Sequence, residues 1–335
     1  MNMKQWVEQM KQPGPKKAMP VLSFPCISLM GITVKELIAD SVLQAKGMKM
    51  VADRVPSAAS VSMMDLSVEA EAFGAQVKFS DDEVPTVIGA LVTDEDEADA
   101  LKVPAVGTGR TGKYIEAIGE ATKLITDRPV FAGVIGPFSL AGRLMDVSEA
   151  MVNCIVEPDM VHTTLEKATE FLINYIKAYK EQTGANGVVM AEPLAGMLSP
   201  ALAEEFSEPY VRKIVEAVQD DEFIVIYHNC GDNVLLMIDS ILRVGAAAYH
   251  FGNAISMKEM MTKVPADVLT MGNVDPSSQF CNGTPESIRE ETLRIMGECC
   301  DHANFGISSG CDIPPISKWE NIDAFFAAVD EFYSK

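Results

Sequence analysis

The chain has 335 residues, 48% of them hydrophobic and 22% charged, with 27 basic against 48 acidic side chains and a formal charge of −21. That balance argues against nucleic acid or an anionic membrane as a partner, because both need a basic surface. No apolar run reaches the ~18 residues of a membrane span, and seven cysteines in so long a chain do not read as a disulfide framework.

The stretch Met1–Met19 is polar, with Trp6, Pro13 and four lysines, and has no apolar run of a secretory signal. A cytoplasmic protein with a short N-terminal extension is expected. Met19–Phe24 reads as the first strand, a helix follows from Thr33 to Val51, and Ser60–Leu66 reads as the second strand. Residues 73–124 are less regular. Asp81-Asp82-Glu83 and Gly107-Thr108-Gly109 mark turns, and Asp94-Glu95-Asp96-Glu97 is a solvated helix start favoured by the helix dipole. The spacing Gly107-x-Gly109-x-x-Gly112 matches a dinucleotide loop, but it follows no clear strand and carries little weight.

From residue 129 onward, six apolar runs alternate with helical patterns: Val130–Ile135, Gly187–Ala191, Phe223–Tyr227, Ala246–Phe251, Val268–Gly272 and Asn304–Ser308. Between the first two, Val161, Leu165, Ala168, Leu172, Tyr175 and Tyr179 mark one helical face. Another helix opens with Thr284 as N-cap and Pro285 at its first position. The last presents Ile322, Phe325, Phe326, Val329 and Phe332, a core-packing stripe. Successive strand–helix units imply parallel strands, because parallel neighbours need crossover connections. Eight such strands predict an α/β fold, a (β/α)8 TIM barrel formed as a single domain over residues 1–335, with about 73–124 as an irregular excursion over the barrel top. An open doubly wound sheet is the alternative.

In a barrel of this kind, functional residues lie just past the C-terminal ends of the strands. Glu192 follows the fourth predicted strand, His228-Asn229-Cys230 the fifth, Asn273 and Asp275 the seventh, and Cys311 the eighth. His250 closes the sixth as a pocket or hydrogen-bonding residue. Residues i and i+2 of extended chain point the same way, so His228 and Cys230 can reach one ion, and Cys311 arrives from another strand end. Alone, His-x-Cys also fits an interior histidine beside a packing cysteine; three such residues at strand ends favour a metal. Two thiolates and one imidazole are a soft three-ligand set suited to Zn²⁺ with a fourth position open. Glu192 is a candidate for that position or for a catalytic neighbour; Asn273, Asp275 and His250 are candidates for cofactor contacts. Cys154, Cys299 and Cys300 lie in helical patterns; Cys26 follows the first strand and Cys281 precedes a helix, so each could be near the site, but no pattern puts either beside His228. His162 and His302 are expected at the surface.

Gly136-Pro137-Phe138-Ser139-Leu140-Ala141, His228-Asn229-Cys230-Gly231, Gly272-Asn273-Val274-Asp275-Pro276 and Ser309-Gly310-Cys311 resemble the uroporphyrinogen decarboxylase superfamily. The resemblance covers nearly the whole chain and is weakest before about residue 125. Within the superfamily, His-x-Cys followed by a distant Gly-Cys is similar to the cobalamin-dependent methyltransferases of the methylcobalamin:coenzyme M type. The resemblance implies zinc on His228, Cys230 and Cys311, and methyl transfer between a corrinoid and a small thiol or methoxylated substrate. The chain has no D-x-H-x-x-G cobalamin motif, so the cobalamin is expected on a separate corrinoid protein. The true decarboxylases meet a polycarboxylate with an arginine-rich N-terminal motif; here Ser23–Gly31 holds no arginine and only eight occur in the chain. Uroporphyrinogen decarboxylation and a non-catalytic ligand-binding barrel remain the alternatives.

Overall fold

In the computed structural model, which describes residues 1–334, strands form where the apolar runs stand between helical patterns. They are β1 (Ser60–Val61), β2 (Gln76–Lys78), β3 (Thr86–Ile88), β4 (Val130–Ile135), β5 (Gly187–Ala191), β6 (Ile224–Asn229), β7 (Ala248–Phe251), β8 (Leu269–Val274) and β9 (Phe305–Ser309). β2 and β3 make an antiparallel hairpin; the other seven pair in parallel in the order β1-β4-β5-β6-β7-β8-β9. Every residue from β4 to β9 within a strand is buried. That is why these strands read as continuous apolar runs rather than as alternating ones.

The sheet curls around a core of its own. Ile224 and Ile226 of β6 belong to this inner cluster with Phe131, Val189, Leu269 and Met271, whereas Val225 and Tyr227 pack outward against the helices. The period of two therefore puts His228 in the inner row. The helix Met3–Met10 closes the floor, adding Met3, Trp6, Val7 and Met10 to the inner cluster, with the Trp6 ring 5.7 Å from Phe131.

The first expected strand, Met19–Phe24, forms no ladder. Ala18–Val21 nevertheless lies between β9 and β1. Met19 N–H donates to Ile307 O (3.1 Å), Ala58 N–H donates to Ala18 O (2.8 Å), and Val21 N–H donates to Ser309 Oγ (3.0 Å). Pro20 has no N–H to continue a ladder, so a side chain takes over part of the bonding. β1 is likewise short because Ser62 Oγ, in place of a backbone carbonyl, accepts from Gly133 N–H (2.8 Å).

Two other expectations are corrected. Thr33 to Val51 is not one helix: Val34–Ala39 ends at Asp40, whose extended backbone breaks the run and whose carboxylate then caps Ser41–Arg54 through Val42 and Leu43 N–H. Residues 73–124 are not irregular throughout, since Thr111–Leu124 is a helix that packs on Ser41–Arg54. The other helical patterns form as expected: Pro158–Gln182, with all six marked residues buried, Pro285–Cys299 capped by Thr284, and Trp319–Tyr333. Among the described residues no helix is long and apolar enough to cross a membrane, and all seven cysteines are free.

Candidate metal centre

The C-terminal ends of the strands open on a cavity of about 600 Å³, lined in part by His228, Cys230 and Cys311. His228 is in register with Ala191 of β5 on one side and His250 of β7 on the other. Cys230 follows β6 directly and Cys311 stands two residues beyond β9. The three potential ligand atoms all lie within 4.8 Å of one another. The loop after β7 can approach because residue 252 is glycine; a Cβ there would overlap Cys230.

Hydrogen bonds behind the cluster fix the imidazole tautomers. Ser308 Oγ–H donates to Met19 O (2.7 Å), so the same oxygen accepts from His250 Nε2–H (2.7 Å). Burial, and then the nearby His228, hold the His250 pKa well below its usual range. His250 is thus neutral, and its Nδ1 accepts from His228 Nδ1–H (2.7 Å). His228 Nε2 is left without a proton, and it is buried with no hydrogen-bond partner. A bare imidazole nitrogen beside two thiols, with its second nitrogen tied back, fits a soft divalent ion such as zinc. The two thiols influence each other: the contact with Cys311 holds Cys230 below its usual range, and that contact together with burial pushes Cys311 up to about 12.

Glu192 stands apart from this cluster. Ala191 and Pro193 line the cavity, but the carboxylate between them is taken by the start of the helix Pro137–Met145. Phe138 N–H (2.7 Å), Ser139 N–H (3.0 Å) and Ser139 Oγ–H (2.7 Å) all donate to it. Gly136 makes room, since a Cβ there would overlap the Glu192 side chain. Burial pushes this carboxyl up to about 7 against the pull of the donors. Asn273 and Asp275 do not join the cluster either. Asn273 Nδ2 donates to Gly252 O (2.9 Å) and Ile255 O (3.0 Å), and Asp275 accepts from Ser277 and Ser278 N–H; both line a separate cavity of about 290 Å³.

The uroporphyrinogen decarboxylase (URO-D) family model matches residues 15–332. The chain belongs to this family. Methylcobamide:CoM methyltransferase MtbA of Methanosarcina mazei is 29% identical over 269 residues, spanning 77% of this chain and 75% of the relative. Uroporphyrinogen decarboxylase of Prochlorococcus marinus is 26% identical over 223 residues, spanning 64% of this chain and 61% of the relative. A solved structure of a methyltransferase from Methanosarcina mazei matches with a TM-score of 0.86 at 24% identity, over 99% of both chains. This likeness shows the shared fold.

Sequence reasoning missed Arg143, Ser277 and the hairpin segment Asp82–Thr86, all of which line this cavity; Asp312, beside Cys311 at the end of the eighth predicted strand, and Cys281 line it too. Arg143 had a legible signal, being the one charged residue in the run from Val130 to Met145. The hairpin loop reads as a turn in the excursion over the barrel top, and it forms part of the cavity wall. Behind the cavity, Arg110 bonds Asp65, Glu71 (2.7 Å) and Ser67 (2.8 Å), and Tyr114 Oη–H also donates to Asp65 (2.9 Å). His162 is half-exposed, stacked on Phe206, and serves packing rather than the cavity.

Proposed function

We propose that the chain is a zinc-dependent methyltransferase that moves a methyl group between a corrinoid on a separate protein and a small thiol or methoxylated substrate. The observation that carries this reading is the convergence of His228, Cys230 and Cys311 in one cavity, with His228 Nε2 buried and without a hydrogen-bond partner. Methyltransferases among the relatives support it. A zinc ion held by these three residues, with a fourth position open to the cavity, would supply Lewis acidity to the sulfur or oxygen that exchanges the methyl group. His250 and Ser308 orient His228 through its Nδ1–H. Val21, Met64, Leu66 and Ala191 exclude water from the cavity wall. Glu192 fixes the helix start beside the ligands. Asn273 and Asp275 brace the loops near the mouth, where the corrinoid protein docks; the β2–β3 hairpin is the part of 73–124 placed to meet it.

We read the curled sheet, bridged by Ala18–Val21, as a (β/α)8 barrel and residues 1–335 as one domain. The seven free cysteines support a cytoplasmic setting. Metal analysis tests the centre: about one zinc per chain is expected, lost in Cys311→Ala and retained in Cys154→Ala. Loss of methylcobalamin absorbance on adding a thiol or, in reverse, methylation of cob(I)alamin by a methoxylated aromatic tests the reaction. A zinc-free wild-type protein that turns uroporphyrinogen into coproporphyrinogen would overturn both.

A further inference from the structure

We infer that Arg143 anchors an anionic group of the substrate, on the cavity wall built by the helix Pro137–Met145. This deepens the proposed methyl transfer, since it takes the same cavity as the substrate site. The chain has eight arginines among 48 acidic residues. Seven of them form ion pairs, from Arg54 with Asp323 to Arg294 with Glu291 and Glu298. Arg143 alone has no ion-pair partner among the described residues, and its Nε is buried without any hydrogen bond. It is also the one arginine or lysine lining the main cavity.

Leaving one guanidinium unpaired in so acidic a chain is costly unless a ligand completes it. None of the acidic groups around the cavity forms an ion pair with it, and Asp312, which also lines the cavity, has its carboxyl held well above the usual range by burial. Asp65 is already held by Arg110, Ser67 and Tyr114. Glu69 gives one oxygen to Ile135 N–H (3.0 Å) while the other has no partner, and burial pushes its carboxyl up to about 7. Asp82 and Glu83 lie exposed, where solvent and salt screen them. A partly desolvated guanidinium presents a planar fork that matches a carboxylate, sulfonate or phosphate. One such cation in the cavity suits a substrate with a single anionic group and disfavours a polyanion.

The test uses propionate and ethanesulfonate as probes, with propionamide as the neutral control, and reads affinity from the rise in melting temperature across a concentration series at constant ionic strength. Both the wild type and Cys311→Ala are titrated, so that a failure of the zinc reading leaves this result legible. Either anion is expected to bind at least about tenfold more tightly than the amide, and the better of the two identifies the head group. Arg143→Gln should remove roughly 10- to 100-fold of that affinity, and Arg143→Lys, which keeps the charge without the fork, should restore part of it. Equal binding of anion and amide by the wild type, or unchanged anion affinity in a folded Arg143→Gln, would overturn the proposal.

Discussion

Replacing His250 with phenylalanine separates a ligand from the residue that positions it. The ring volume is nearly kept, so packing against the inner core changes little, but both nitrogen contacts are lost: Nδ1 to His228 Nδ1 and Nε2 to Ser308 Oγ, each 2.7 Å. Outer partners of a metal-bound histidine are typically worth 10- to 100-fold in metal affinity. Here the loss belongs at the lower end, because His228 Nδ1 keeps a second acceptor, the backbone carbonyl of residue 250 at 3.2 Å. We therefore expect zinc to bind about tenfold more weakly, or about 1.4 kcal/mol, in a competition titration against a chromophoric chelator. The metal-free protein should also lose about 1–3 kcal/mol of stability to urea, from two buried hydrogen bonds. Zinc affinity within twofold of wild type would refute the positioning role. Loss of zinc altogether, equal to that in Cys311→Ala, would mean that residue 250 is itself a ligand.

Two further outcomes test the structure around the cavity. Arg110→Met should destabilise the fold by about 3–5 kcal/mol in urea unfolding, because it strands the buried Asp65 carboxylate that Arg110 and Tyr114 now hold; a change under about 1 kcal/mol would show that the network is not held together by charge. Glu69 has its carboxyl raised from 4.5 to about 7, chiefly by burial. The folded chain thus holds this proton more tightly than the unfolded one, so its contribution to stability is present below about 4.5 and lost as pH rises through about 7. Glu69→Gln keeps an acceptor for Ile135 N–H, and its stability relative to wild type should rise between pH 5 and pH 8 by at most about 3 kcal/mol; a difference that is flat with pH would refute the burial argument.

Much of this site is legible in the sequence because the strands are short, parallel and wholly buried. An apolar run between two amphipathic helices marks each strand from β4 to β9, and the period of two, carried from β6 into the residue after it, puts His228 and Cys230 on one side without any knowledge of the fold. What stayed hidden depends on register. His250 orients His228 only because β6 and β7 pair these two residues side by side, and that pairing is set by the length and packing of the crossover between them. The same holds for Glu192. Its place after a strand suggested a ligand, yet the start of the next helix round the sheet offers three donors and takes the carboxylate first. Met19–Phe24 failed as a strand for a local reason that could have been read, the missing N–H of Pro20. Arg143 shows the opposite case. A lone cation in an apolar run is visible in the sequence, but its meaning comes from the tally of partners, and only the folded chain shows that the other seven arginines are paired while this one lines the cavity without an ion-pair partner among the described residues.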